Sequence, residues 1–272
     1  MDLRKLTLFL LFCTYFLHVK AQISDRDTYD FAIQVKQVDE FIERFNGDTT
    51  TLLYEYSQRN FPNETLDRKA MIGTLFNKER KDWHKDHIQN FLDDVTNPAS
   101  PVYLSYYDDD WYAVIDCNVL YEGKKERAYI TLQVQKEKDY SAKWVTRGVH
   151  ANFLQLLGED NEQIFLNPVS HGTDFINLKQ MFQSPKKYLR SYLYKDFSSG
   201  GLPLFINELI EGKIKFQYIN SISYHFLQID GWALIVSKFL RESPNSGWLI
   251  SDLQPLTKQQ KMQYKETILH LD

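Results

Sequence analysis

The chain has 272 residues, with 32 basic and 36 acidic side chains, 15% aromatic residues and two cysteines. This mildly acidic balance excludes a protein built to coat a phosphate backbone. Its length suggests two domains of the usual size, roughly 100 to 200 residues each.

Met1 to Lys5 is a short basic start, Leu6 to Leu17 is a twelve-residue apolar run, and Val19-Lys20-Ala21 has the small-x-small form of a cleavage site. Residues 1–21 are therefore predicted to be a signal peptide, with the mature chain beginning at Gln22 and exported, periplasmic or secreted. The run is shorter than the roughly 20 apolar residues a membrane span needs, so no integral membrane segment is expected after cleavage. A lipid anchor on Cys13 is discounted, because Phe12 stands where lipoprotein signals want a small residue. Processing removes three basic residues and one acidic, leaving 29 against 35 and Cys117 alone, so neither a disulfide within the chain nor a multi-cysteine zinc site is expected.

A first α+β domain is expected over 22–149. Phe31, Val35, Val38, Ile42 and Phe45 recur at helical spacing, predicting one long helix over about 27–46 that stops at Gly47. Shorter helices are predicted around Leu66 to Phe76 and from Trp83 to Val95. From Trp111 to Tyr121 the period becomes that of a strand with both faces rather apolar, and Glu122-Gly123-Lys124-Lys125 and a loop over 138–142 separate two further strands of a meander. Residues 150–172 read as a connector.

The second half repeats this order over 173–254. Helical spacing returns in Phe175, Leu178, Met181 and Phe182, and again in Phe205, Ile206, Leu209 and Ile210. Strands follow at Ile214 to Tyr218 and Ile222 to Phe226, and Asp230-Gly231 is a two-residue hairpin signal. Residues 255–272 carry a last helix, opened by a Thr-x-x-Gln capping box at Thr257 and Gln260. The sheets share an outline, a Tyr, an acidic turn and a Trp eight residues after the Tyr, closing on Lys-Trp-Val-Thr at 143–146 and Gly-Trp-Leu-Ile at 247–250. Trp144 and Trp248 are accordingly expected to anchor separate cores. The gap between the two Trp residues is 33 in one copy and 16 in the other, so the copies cannot match strand for strand throughout.

The order of a long first helix, two short helices and a meander closing on a Trp-hydrophobic strand resembles the nuclear transport factor 2-like superfamily. The resemblance implies two tandem cone-shaped α+β units, each a helix set against a curved antiparallel sheet, in an exported bacterial protein. It also implies an aromatic-lined pocket, for which Trp111, Tyr112, Tyr224 and Trp232 are the candidate ligand-binding residues. The leading expectation is a non-catalytic module that binds a small apolar ligand or an envelope protein, with no cofactor and no nucleic acid. One alternative is a lyase or isomerase of the cone-fold kind using Asp116 and His225, since a carboxylate on an apolar sheet face would have a raised pKa suited to acid–base work. Another is a structural subunit of an extracytoplasmic assembly.

Other patterns carry less. His84 and His87 in WHKDH, with Asp82 and Asp86, are neighbours on a helix, but no third ligand follows at a recognisable spacing, and a polar helix edge is expected rather than a metal site. HGTDF at 171–175 reads as a helix N-cap. Lys186, Lys187, Arg190 and Lys195, interleaved with tyrosines, read as a solvated face. Cys117 alternates in phase with Trp111, Ala113, Ile115 and Val119 and is expected to be a buried packing residue.

Overall fold

The computed structural model describes residues 25–136, 142–156 and 201–271. The expected signal peptide, most of the expected connector, the HGTDF motif, the helical pattern from Phe175 to Leu193 and the basic face from Lys186 to Lys195 lie outside them.

Instead of one long helix the chain opens with two, α1 (Asp25–Ile33) and α2 (Val38–Asn46). The break is made by Val35, which leaves the helix to bridge Gly247: its N–H donates to the Ser246 carbonyl at 3.1 Å and its carbonyl accepts from Trp248 N–H at 2.7 Å. Phe31, expected on the buried face, is consequently exposed. Fully buried Arg44 satisfies the carbonyls freed at the break. Its guanidinium donates to the carbonyls of Ala32, Ile33 and Gln34 and pairs with Glu40 at 2.6 Å. Gly47, at φ 76°, closes α2 as its sequence position suggested. A helix that the pattern did not signal, α3 (Leu52–Asn60), follows, capped by Thr51. Next come α4 (Arg68–Thr74) and α5 (Lys85–Val95). Arg68 ties them to α2, donating to the carbonyls of Phe45, Val95 and Val102.

Six antiparallel strands make one sheet in the order β3-β2-β1-β4-β5-β6. They are β1 (Trp111–Tyr121), β2 (Lys124–Lys136), β3 (Ala142–His150), β4 (Ile214–Phe226), β5 (Trp232–Phe239) and β6 (Gly247–Pro255). Between β3 and β4 lie α6 (Asn152–Leu156) and α7 (Leu202–Ile210), and α8 (Lys258–Thr267) ends the fold with the expected Thr257–Gln260 capping box. The hairpin turns fall where the sequence put them: Glu122 and Gly123 both take positive φ, and so does Gly231.

The α+β class holds, but the two expected sheets are one. The meanders join through their first strands, β1 pairing with β4 from Trp111 opposite Phe226 to Tyr121 opposite Ile214, with register shifts at Asp116/Cys117 and Asn118/Val119. This explains why β1 is apolar on both faces, since a central strand is covered on both sides. Trp111, Cys117 and Val119 point to the side packed by α2, α4 and α5 at one end and by α6 and α7 at the other, whereas Tyr112 points to the side covered by α8. The shared Tyr-to-Trp outline does not follow meander order: Trp111 opens the first strand of its meander, and Trp232 the second of its own. Nor do Trp144 and Trp248 anchor separate cores. They flank Tyr224 in one cluster, with ring centroids 6.3 and 5.0 Å from it. Cys117 is fully buried between β1 and β2, as its phase suggested. No helix among the described residues is long and apolar enough to cross a membrane.

Candidate functional site

Asp116 and His225 project to the same side of the sheet without meeting. Asp116 faces Ser221 across the β1–β4 pair and His225 faces Tyr112, a separation of four residues or roughly 13 Å along the strands. Arg127 grips the Asp116 carboxylate with two hydrogen bonds of 2.8 and 2.5 Å, and Asn220 adds a third at 3.0 Å. That pairing holds the Asp116 pKa below the usual carboxylate range, the reverse of the raised value an acid–base role would use. His225 is 6% exposed beneath α8, with Nδ1 2.7 Å from the Tyr264 hydroxyl and Nε2 2.9 Å from Ser223 Oγ. Burial drives its pKa down to about 4. In this geometry Asp116 joins β1 to β2 and His225 docks the last helix.

The aromatic side chains of the other sheet side do converge. Successive strand residues alternate faces, so Trp111 on β1, Tyr224 on β4 and Trp144 on β3 all stand opposite Asp116 and His225. Trp111 and Trp144 meet edge to face at 4.7 Å, and the Tyr224 ring lies 5.9 Å from Trp111. Below them Phe226 stacks on Trp111 at 5.1 Å and 9°, making the floor continuous with the main core. Trp111 is itself part of that core at 3% exposed, whereas Trp144 leaves 40% of its surface open. Tyr106, in the loop before β1, closes one side: its carbonyl accepts from Trp111 Nε1 at 3.2 Å and its hydroxyl donates to the Asp39 carbonyl at 2.9 Å. With Val38, Val134 and Ala142 these rings bound a recess of about 200 Å³, and Asp39 and Lys143 supply its charged lining.

Of the four residues the sequence put forward for ligand contact, the structure brings Trp111 and Tyr224 to this recess. Tyr112 belongs to the opposite side of the sheet, hydrogen-bonded to Asp110 at 3.2 Å and packed with Tyr264 and Leu269. Trp232 is buried against Phe91, its indole N–H donating to Asp94 at 2.9 Å. Trp144, expected from the sequence as a core anchor, and Tyr106, which no pattern singled out, complete the recess. Trp144 lies near the start of an edge strand, a place where an aromatic side chain is less completely covered than in mid-sheet. Among the described residues the recess lining contains no histidine, cysteine or serine, so it presents surface and charge and no nucleophile of those kinds.

A second cleft, of about 290 Å³, gathers Arg80, Trp83, His84, His87 and Asp252. The two imidazoles lie 5.0 Å apart, but Arg80 takes up the carboxylates beside them, Asp82 at 2.9 Å and Asp252 at 2.6 Å. No group of three or more potential metal ligands is assembled among the described residues. Set against protein-family models, curated proteins and solved structures, the chain finds no match in any of the three.

Proposed function

We propose that the chain is an exported, non-catalytic binding module that takes a small apolar ligand into the recess between Trp111, Trp144 and Tyr224. The carrying observation is the half-open indole of Trp144, 40% exposed and set edge to face on the buried ring of Trp111. Apolar walls of this kind supply affinity, at about 25 cal/mol per Å² removed from water, while a few polar groups orient the ligand. Export rests on the leader-like residues 1–21. The likeness to nuclear transport factor 2-like cones is kept in altered form, as a single helix-packed antiparallel sheet in place of two tandem units.

The test is calorimetric titration with a small neutral aromatic such as indole. Wild type should bind it, and Trp144→Ala should abolish binding with little change in melting temperature, because this side chain is the least buried of the cluster. Unchanged binding in that variant, or a collapse in stability, refutes the proposal. A structural role in an assembly has its own supporting observation: Leu209 and Ile210 on α7 and Phe216, Tyr218 and Ile219 on β4 are all exposed apolar side chains. Sedimentation of the purified chain as a concentration-dependent oligomer would favour it.

A further inference from the structure

Granting that reading of the recess, on which this inference rests, we infer that its ligand is a small organic cation, an ammonium bearing methyl or other short alkyl groups, held against the aromatic wall and facing Asp39. Aromatic faces carry negative potential and attract a cation whose greasy substituents also gain from burial, a combination that neither a bare metal ion nor a hydrocarbon offers. Trp111, Trp144, Tyr224 and Tyr106 provide four such rings around one small space.

One residue of the matching sign lines the recess. Asp39 lies in the lining, exposed at the start of α2, and its charge reaches the hydroxyls of both Tyr106 and Tyr224; Glu43 and Asp48 act on Tyr106 as well. Burial of the two rings, with the charge of Asp39 adding to it, raises the pKa of both phenols. Lys143 is the basic residue of the lining. Asp39 is the acidic residue of the lining, placed to face a bound cation. Size agrees too: about 200 Å³ is roughly the room of seven waters, enough for a quaternary ammonium head and a short stem.

The experiment compares choline with dimethylbutanol, its uncharged carbon isostere, by calorimetric titration of the full chain. Choline should bind about tenfold more tightly than the isostere, the ratio that a partly desolvated cation–aromatic contact gives. Asp39→Asn, at an exposed position and checked for an unchanged melting temperature, should reduce that preference by about two- to fourfold and leave the isostere unaffected. Isostere binding equal to or tighter than choline would overturn the cationic assignment while leaving the apolar recess in place. Absence of binding by either probe at millimolar concentration would overturn both.

Discussion

Acidification should loosen the packing of α8 through His225, whose buried imidazole resists protonation. An unfolded chain protonates a histidine near the ordinary value of 6.5, whereas folded His225 resists until about 4 because burial disfavours its charged form. Between those values the unfolded state binds the proton more readily, so acid favours unfolding. The stability due to a neutral His225 is complete above about pH 6.5 and declines by about 1.4 kcal/mol per unit below it. The decline amounts to about 3 kcal/mol by pH 4, where the folded protein begins to take the proton too. His225→Gln keeps a side chain able to hydrogen-bond Tyr264 and Ser223 but cannot titrate. Urea unfolding of both proteins at pH 7, 6, 5 and 4 isolates the histidine, since other titrating groups, among them His270 with its pKa lowered by burial and by His150, are common to the two. The difference in stability between wild type and variant should shift by about 3 kcal/mol across the series. Parallel curves would show that His225 is not protonated on unfolding, and the reasoning from its burial would fail.

Trp111→Ala should cost about 3 to 5 kcal/mol, as for other large core aromatics, and should lower one cooperative transition rather than open one half, because β1 is bonded to both meanders; two separated transitions in calorimetry would contradict the single sheet. Gly247→Ala should destabilise by about 3 kcal/mol, since φ is 95° there and an added Cβ would lie 1.9 Å from the Val35 carbonyl oxygen; a melting temperature within a degree of wild type would refute that close approach. Cys117 should resist alkylation in the native state and react once denaturant is added, which mass spectrometry reads directly; prompt labelling would place its strand face outside.

Strand and turn positions were legible because they depend on neighbours in sequence. Alternation marked β1, and Glu122-Gly123 and Asp230-Gly231 marked its turn and that of β5. Which strand lies beside which was not legible, since period says that β1 has two apolar faces and nothing of whether a helix or β4 accounts for its edges. The α1–α2 break escaped for the same reason. Val35 fits a helical stripe perfectly well, and only the remote Gly247 backbone draws it away. For Asp116 a usable signal was passed over. A two-residue turn at 122–123 sets Asn118 opposite Arg127, which puts that guanidinium diagonal to Asp116 and within reach of pairing it. The recess was half legible: Trp111 and Tyr224 were singled out as aromatic, but their meeting with Trp144 needs β3, β2, β1 and β4 in their final order.

The β1–β4 joint also bears on how such a chain comes into being. Its partners are separated by roughly a hundred residues, from Tyr121 opposite Ile214 to Trp111 opposite Phe226, so a nascent chain can complete the first hairpins long before the strand that covers the free edge of β1 has been made. Until then β1 presents an unpaired, apolar ribbon of backbone donors and acceptors, the kind of surface on which chains aggregate. A high proportion of such distant pairings also slows folding. The fold is therefore one that cannot be finished domain by domain during synthesis, and its yield in the cell should depend on whatever keeps the first half from self-association until the last three strands arrive.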